Sequence, residues 1–269
     1  MRANGPGRVD VIMPAHDAAA TVARSVESAL ACPECARVLV IDDASRDGTA
    51  AIVESLAGRA PGRVVLVRLA VNGGPAYARN VGLALAESDL VAFLDADDLY
   101  EPQALTVAVA ALDGLADLAL VRLALKPLGL DPALASHPGF GDAWTRVAFT
   151  VPSNVVVRRA VVAAAGGFPE DDLFRRHGGE DVALFQAVVR TCRVGTLFTE
   201  PGVLYRIRPD CAALKLIRAC LFDILPPGIE ADLPKAESVT VKIMQRLKLL
   251  SPFVRAEPGA TEVRVTWSG

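Results

Sequence analysis

Between residues 9 and 112, short β-branched apolar runs alternate four times with stretches of helical periodicity, a pattern that few architectures accept. The runs Val9 to Met13, Val38 to Ile41, Val64 to Leu69 and Leu90 to Leu94 are followed in turn by Ala19 to Ala31, Thr49 to Ala57, Ala76 to Glu87 and Pro102 to Leu112. Apolar runs this short, bounded by turn residues, read as buried strands. Four strand-helix repeats in a row predict an α/β fold: a mostly parallel central sheet, helices on its faces and right-handed crossovers. Sheets of that kind bind ligands in the crevice at the carboxyl ends of their strands.

The polar residues fall at those ends. Pro14-Ala15-His16-Asp17 follows the first strand, Asp42-Asp43-Ala44-Ser45 the second and Asp95-Ala96-Asp97-Asp98 the fourth. Several carboxylates converging on one cleft are costly unless a cation or hydrogen-bond donors compensate. Asp95-x-Asp97 puts two hard oxygen ligands on one side of an extended segment, which suits Mg2+ or Mn2+ and the phosphates these ions hold. The plain alternative is that Asp97 and Asp98 cap the helix beginning near Pro102. In Asn72-Gly73-Gly74-Pro75-Ala76-Tyr77-Ala78-Arg79-Asn80, a glycine turn precedes a helix whose first turns carry a guanidinium. Both the helix start and Arg79 suit an anion, although Arg79 is equally suited to pairing with a strand-end carboxylate. A second focus is Gly178-Gly179-Glu180-Asp181, where a carboxylate beside a hydroxyl nucleophile can act as general base, or can simply serve the helix start. His16, His137 and His177 lack mutual metal-ligand spacing, and His177 is the one abutting the Glu-Asp pair.

Composition narrows the classes. With 28 basic and 31 acidic side chains in 269 residues and no basic block, the chain lacks the clustered charge of a nucleic-acid binder. No apolar run is long enough to cross a bilayer, and Met1 to Arg8 has no signal-peptide character. The five cysteines are odd in number and sparse, which points to a reducing compartment, and Cys32-Pro-Glu-Cys35 reads as two incidental thiols at a helix end. The expectation is a cytoplasmic protein, at most peripheral to the inner face of the membrane. Neither Gly-x-Gly-x-x-Gly after a strand nor a P-loop is present.

From about Leu115 to Phe149 the pattern weakens into an excursion of loops. Regularity returns with a strand at Ser153 to Val157, helices at Arg159 to Ala165 and Glu180 to Thr191, and strands at Val194 to Thr199 and Val203 to Ile207. Helices over Cys211 to Ile224 and Lys235 to Leu250 and a last strand at Glu262 to Trp267 complete the reading. Residues 1–210 are expected to form one domain, and 211–269 a helical extension packed on it or pairing two copies.

These landmarks, in this order, resemble the family 2 glycosyltransferases of the inverting GT-A fold. The resemblance rests on Val11-Ile-Met-Pro-Ala-His-Asp17, Val40-Ile-Asp-Asp-Ala-Ser-Arg-Asp-Gly-Thr49, the Asn72 to Asn80 segment, Phe93-Leu-Asp-Ala-Asp-Asp98, Gly166-Gly-Phe-Pro-Glu170 and Gly179-Glu-Asp181. It implies that Pro14, Ala15, Asp17, Asp42, Asp43, Arg79 and Asp95 contact a nucleotide, that Asp97 holds a divalent metal, and that Asp181 is the catalytic base. It also implies a nucleotide-diphosphate sugar as donor, a UDP-sugar first and GDP- or dTDP-sugars after it, with Mn2+ or Mg2+ bridging the diphosphate. The acceptor is a hydroxyl on a glycan, a lipid-linked sugar or a small molecule. Glu180, His177 and Arg208 are candidates for diphosphate or acceptor contact.

Two departures stand out. Asp17 occupies a position where the family more often has Asn or Glu, and Arg208, in Tyr205-Arg206-Ile207-Arg208, replaces a His of many relatives. A charged guanidinium cannot ligate a metal but can pair with phosphate, so metal dependence is in question, unless His177 or water completes the site. The Gln-x-x-Arg-Trp signature of processive synthases is absent, which favours transfer of a single sugar. The alternative is a catalytically inactive relative that binds nucleotide sugars as a scaffold. A phosphoacceptor signalling domain would also set paired Asp residues after a strand, but it leaves Glu180-Asp181 without a role.

Overall fold

The computed structural model describes residues 8–209, 211–225, 227–255 and 257–265. The expected repeats are all present. Strands β1 (Val9–Ala15), β2 (Cys35–Asp42), β3 (Val64–Arg68) and β4 (Leu90–Phe93) alternate with helices α1 (Val22–Leu30), α2 (Thr49–Arg59) and α3 (Pro75–Leu85). A two-residue strand β5 (Leu99–Tyr100) precedes α4 (Ala104–Gly114). Both faces of the sheet are covered, so its strands are continuous apolar runs rather than alternating ones. The period of two survives in where each residue goes: Val9, Val11 and Met13 pack against α1, α2 and α4, while Ile12 faces the opposite layer with Phe93.

The excursion expected over 115–149 is instead structured. Strand β6 (Leu118–Leu123) is buried at every position and lies inside the main sheet. Its apolar run is broken by Arg122, and that charge hid it from the sequence pattern. Strand β7 (Leu125–Leu128) and helices α5 (Pro132–Ala135) and α6 (Phe140–Ala148) follow. The rest of the chain supplies β8 (Val155–Arg158), α7 (Arg159–Ala165), α8 (Asp172–His177), α9 (Glu180–Val189), β9 (Arg193–Leu197), β10 (Val203–Arg206), α10 (Ala212–Phe222), α11 (Ile229–Leu250) and β11 (Gly259–Glu262). Helix α11 starts before the expected Lys235 and carries Pro234 inside it. The last strand ends at Glu262, where it was expected to begin, and residues 266 and 267 of that expectation lie outside the described residues.

The main sheet has the order β11-β9-β6-β8-β4-β1-β2-β3. Strand β8 runs antiparallel to both its neighbours, and all other pairs are parallel. A small sheet, β5-β10-β7, stands at the ligand end of β4. Helix α10 packs with α6 on one layer, and α11 lies with α7 and α9 on the other. Strand β11 joins the central sheet beside β9. Among the described residues no helix is long and apolar enough to cross a membrane.

Candidate active site

The loops after β1 and β2 brace each other through side-chain to backbone bonds. Asp17 stands in the left-handed region at φ 48°. Its Oδ1 accepts from the Arg46 amide at 2.8 Å, and its own amide donates to Ser45 Oγ at 3.0 Å. Asp42 accepts from the Ser45 amide at 3.2 Å, and His16 Nδ1 lies 2.7 Å from the Asp43 carbonyl oxygen. The two carboxylate oxygens of Asp43 accept one each from the amides of Gly73 and Gly74, at 2.7 and 2.8 Å. That clamp fixes the turn into α3, where Gly74 takes φ 84° directly before Pro75.

An open cleft of about 730 Å3 results, walled by His16, Asp17, Ser45, Arg46, Arg68 and Asn72 among others. Asp42 and Asp43 are buried and hold this wall in place rather than form it. Pro14 and Ala15 are still strand residues, opposite Ile41 and Asp42. Ser45 and Arg46, which the sequence reading left without a role, are part of the wall; their place directly after the paired Asp residues is the signal that could have found them.

Arg79 joins the two halves of the site. Its side chain is 4% exposed, with Nη2 donating to Asp95 Oδ1 at 2.8 Å and Nη1 to Glu180 Oε1 at 3.0 Å. Burial by itself would lower the guanidinium pKa, but Asp95, Glu180 and Asp181 outweigh it and raise the pKa above its usual range. The guanidinium also lies 5.4 Å from the ring centroid of Phe168, which packs edge-on against Phe93. The next residue, Asn80, holds the Gly166-Gly167-Phe168 turn through the backbone of Phe168. Two adjacent residues of α3 thus fix the end of β4, the α7–α8 turn and the start of α9.

Asp181 follows Glu180 at the head of α9, half-buried, with Oδ1 accepting from the Val182 amide at 2.7 Å. Burial first, and then the charge of Glu180, push its carboxyl up to about 7 against the opposing pull of Arg79. A carboxylate poised there is suited to taking a proton near neutral pH. Nearby, the wholly buried Arg122 donates through Nη1 to the carbonyls of Ala148 and Val151 and to Asn154 Oδ1, its guanidinium lies over the rings of Phe149 and Phe185, and Nε and Nη2 have no hydrogen-bond partner among the described residues. Sequence reasoning missed Arg122, whose signal was a lone charge in an apolar run.

Beyond β4, Asp98 Oδ1 accepts from the Arg206 amide at 2.8 Å, fastening β10 to the acidic loop. The side chains that follow reach Asp97: Arg208 Nε stands 2.8 Å from its Oδ2, and Arg206 Nε donates to its carbonyl oxygen at 3.4 Å. Burial and the neighbouring Asp95 raise the Asp97 carboxyl, and Arg208 pulls it back.

The divalent metal that the acidic motif suggests does not fit these residues. Both carboxylates of Asp95-x-Asp97 are engaged by guanidinium groups, and among the described residues no three His, Cys, Asp or Glu side chains gather as a ligand set. His177 is not one of the groups around Asp97, because its Nε2 is 3.2 Å from Asp232 in α11, which also pairs with Arg176 and Lys235. Glu180, a candidate phosphate or acceptor contact from sequence, is committed to Arg79. Cys32 and Cys35 are buried core thiols, both with raised pKa, Cys35 to about 12, chiefly by burial.

Residues 10–133 match the family described as glycosyl transferase family 2. This stretch is a family 2 glycosyltransferase domain. It spans β1 to α5 and so contains Asp17, Asp42, Asp43, Arg79, Asp95 and Asp97, with Glu180, Asp181 and Arg208 beyond it. Among curated relatives, the succinoglycan biosynthesis protein ExoU of Rhizobium meliloti is 47% identical over 102 residues, 38% of this chain and 30% of that protein. The O-antigen biosynthesis protein RfbC of Myxococcus xanthus is 32% identical over 230 residues, 83% of this chain but 17% of its own length. The chain therefore spans under a third of each of these relatives.

The GT-A fold, which extends well beyond residues 10–133, is shared with solved transferases. S. aureus TarS in complex with UDP-GlcNAc superposes with a TM-score of 0.61 at 20% identity, covering 91% of this chain and 73% of that one. The mannosyltransferase PcManGT of Pyrobaculum calidifontis, in complex with GDP-Man and Mn2+, gives 0.59 at 22% identity, covering 91% and 76%.

Proposed function

We propose that the protein is an inverting glycosyltransferase that moves one sugar from a nucleotide-diphosphate sugar to an acceptor hydroxyl, with Asp181 as general base. The observation that carries this reading is the pairing of Arg79 with both Asp95 and Glu180. It sets the end of β4, where the donor is expected, beside the carboxylate whose pKa of about 7 suits proton abstraction. The cleft braced by Asp17, Asp42 and Asp43 takes the nucleoside. In the reaction the acceptor oxygen attacks the anomeric carbon, the bond from that carbon to the phosphate oxygen breaks, and the acceptor proton passes to Asp181. One displacement from the face opposite the leaving diphosphate inverts the configuration, and no enzyme nucleophile is required.

The UDP-GlcNAc of TarS and the GDP-Man of PcManGT support a UDP-sugar as the first candidate donor and a GDP-sugar as the second. The Mn2+ of PcManGT is not carried over, because Arg208 already engages Asp97. Relatives named for succinoglycan and O-antigen synthesis support a growing glycan as acceptor. The test is nucleoside diphosphate release from UDP-, GDP- and dTDP-sugars with glycan acceptors, and the anomeric configuration of the product by NMR. An inverted product from wild type and none from Asp181→Asn is the expected result. A retained configuration, or turnover indifferent to Asp181, would overturn the mechanism.

A further inference from the structure

The residues around Asp97 carry charge in an arrangement that the donor chemistry has a use for. A nucleotide diphosphate leaving from a sugar bears negative charge that must be met by a cation at the transition state. Asp97 is the carboxylate on which such a cation would sit, yet Arg208 Nε is 2.8 Å from its Oδ2. Arg206 is held at the same residue, its Nε donating to the Asp97 carbonyl oxygen at 3.4 Å and its amide to Asp98. One guanidinium on the Asp97 carboxylate and a second on its backbone carbonyl leave a net charge of +1 at this residue, the same as a divalent ion on one carboxylate. Guanidinium is a donor only, permanently charged, and matches phosphate oxygens in pairs, so it supplies the charge without metal coordination.

The placement is also open to a ligand. The Arg208 side chain is 65% exposed while Asp97 is 14% exposed, so the guanidinium caps the carboxylate and remains accessible from solvent. Arg24 and Arg206 line the small hollow that Asp97 borders, adding positive potential on that side.

Resting on the transferase reading above, we infer that Arg208, seated on Asp97 and backed by Arg206, takes the place of the divalent cation, so that the protein binds the diphosphate of its donor without metal. The group bound is a nucleoside diphosphate, its phosphate oxygens meeting the N–H groups of the exposed Arg208 guanidinium.

The experiment is calorimetric titration of the metal-stripped protein with UDP, GDP, CDP and dTDP, in EDTA and again with Mn2+, for wild type, Arg208→Gln and Arg208→His. Wild type is expected to bind one nucleotide with a Kd that Mn2+ changes less than about twofold. Losing a charged hydrogen-bonding partner should weaken binding in EDTA by about tenfold or more in Arg208→Gln. Arg208→His, which swaps the donor for a metal-ligand side chain, should bind weakly in EDTA and recover with Mn2+. Arg208 is exposed enough that both variants should fold, and equal thermal unfolding midpoints would confirm it. If wild type binds at least tenfold more tightly with Mn2+, or Arg208→Gln binds as well as wild type, the inference falls while the nucleotide site stands. If no nucleotide binds under any condition, the transferase reading falls and this inference with it.

Discussion

Asn80 and the backbone of Phe168 hydrogen-bond in both directions, the Asn80 Oδ1 accepting from the Phe168 amide at 2.8 Å and its Nδ2 donating to the Phe168 carbonyl at 2.9 Å. No other side-chain type of this size offers an acceptor and a donor in that spacing. The turn it secures has no spare room, because a Cβ on Gly167, at φ 81°, would lie 2.6 Å from Asn80 Oδ1. Asn80→Ala is therefore expected to cost about 2–3 kcal/mol of stability by stranding two backbone groups. Asn80→Asp should cost at least as much, because its second oxygen would face the Phe168 carbonyl and the Glu170 carboxylate that Nδ2 now approaches at 2.6 Å. Urea unfolding of both variants checks this.

Asp181 should write its protonation onto the rate. With its carboxyl near 7, kcat/KM is expected to climb with pH along an acid limb centred there, and Asp181→Asn to lose about 100- to 10,000-fold. Arg122 feels the Asp181 charge, so removing that cation in Arg122→Met should move the limb to higher pH. An unchanged limb in the variant would show that the two charges do not couple.

The same carboxyl should strain the fold when ionised. A carboxyl whose folded pKa lies above its unfolded value favours the native state at low pH, and that advantage is lost as pH rises through about 7. Asp181→Asn, inactive, is expected to be more stable than wild type by roughly 1–3 kcal/mol at pH 8 and little different at pH 4. Denaturation curves at the two pH values read the difference directly.

Asp10 is the opposite case. Fully buried near the start of β1, it accepts from Arg37 Nε at 3.1 Å and Nη2 at 2.7 Å and from the amides of Glu87 and Ser88 at 2.7 and 3.0 Å. Burial alone would raise its carboxyl, but these donors together hold it below the usual carboxylate range. Its contribution is present above the ordinary carboxylate value and is lost as pH falls through the lowered one. Asp10→Ala should cost about 1–3 kcal/mol at pH 7 for each of the Glu87 and Ser88 amides it leaves without an acceptor, while Arg37 keeps its pairing with Glu87. The deficit should shrink in acid, as followed by thermal unfolding from pH 7 to pH 2.

Gly202 allows the small sheet to approach the main one. A Cβ there would meet the carbonyl oxygen of Ala124 at 2.1 Å, and backbone cannot swing away as a side chain can. Gly202→Ala is expected to displace β10, and with it Arg206 and Arg208. Its nucleotide affinity should fall even at temperatures where the fold persists, a split that titration and circular dichroism on one sample would reveal.

The strand-helix repeats and the acidic strand ends could be read from sequence because each is a local pattern. What escaped depended on distant partners. Strand β6 was lost because Arg122 breaks its apolar run, and the compensation for that charge comes from Ala148, Val151 and Asn154, far along the chain. Asp43 looked like a ligand group, but its partners are the amides of Gly73 and Gly74, and only the fold brings them within reach. His177 was singled out for its neighbours Glu180 and Asp181, whereas its partner, Asp232, sits on a helix whose start the Pro234 signal concealed. The pairing of Arg79 with two carboxylates was half legible: a strand-end carboxylate was an expected partner, but Glu180 was not.

The strand order sets a timetable for the chain as it is made. Strands β1 to β4 pair among themselves, so half of the central sheet can close once residue 93 has emerged. The other half cannot: β6 must wait for β8 to bridge it to β4, and β9 lacks its outer neighbour until Gly259 arrives opposite Arg193. Through that interval the newly made protein carries an unpaired strand edge, the kind of surface on which nascent chains stick to one another and which chaperones cover.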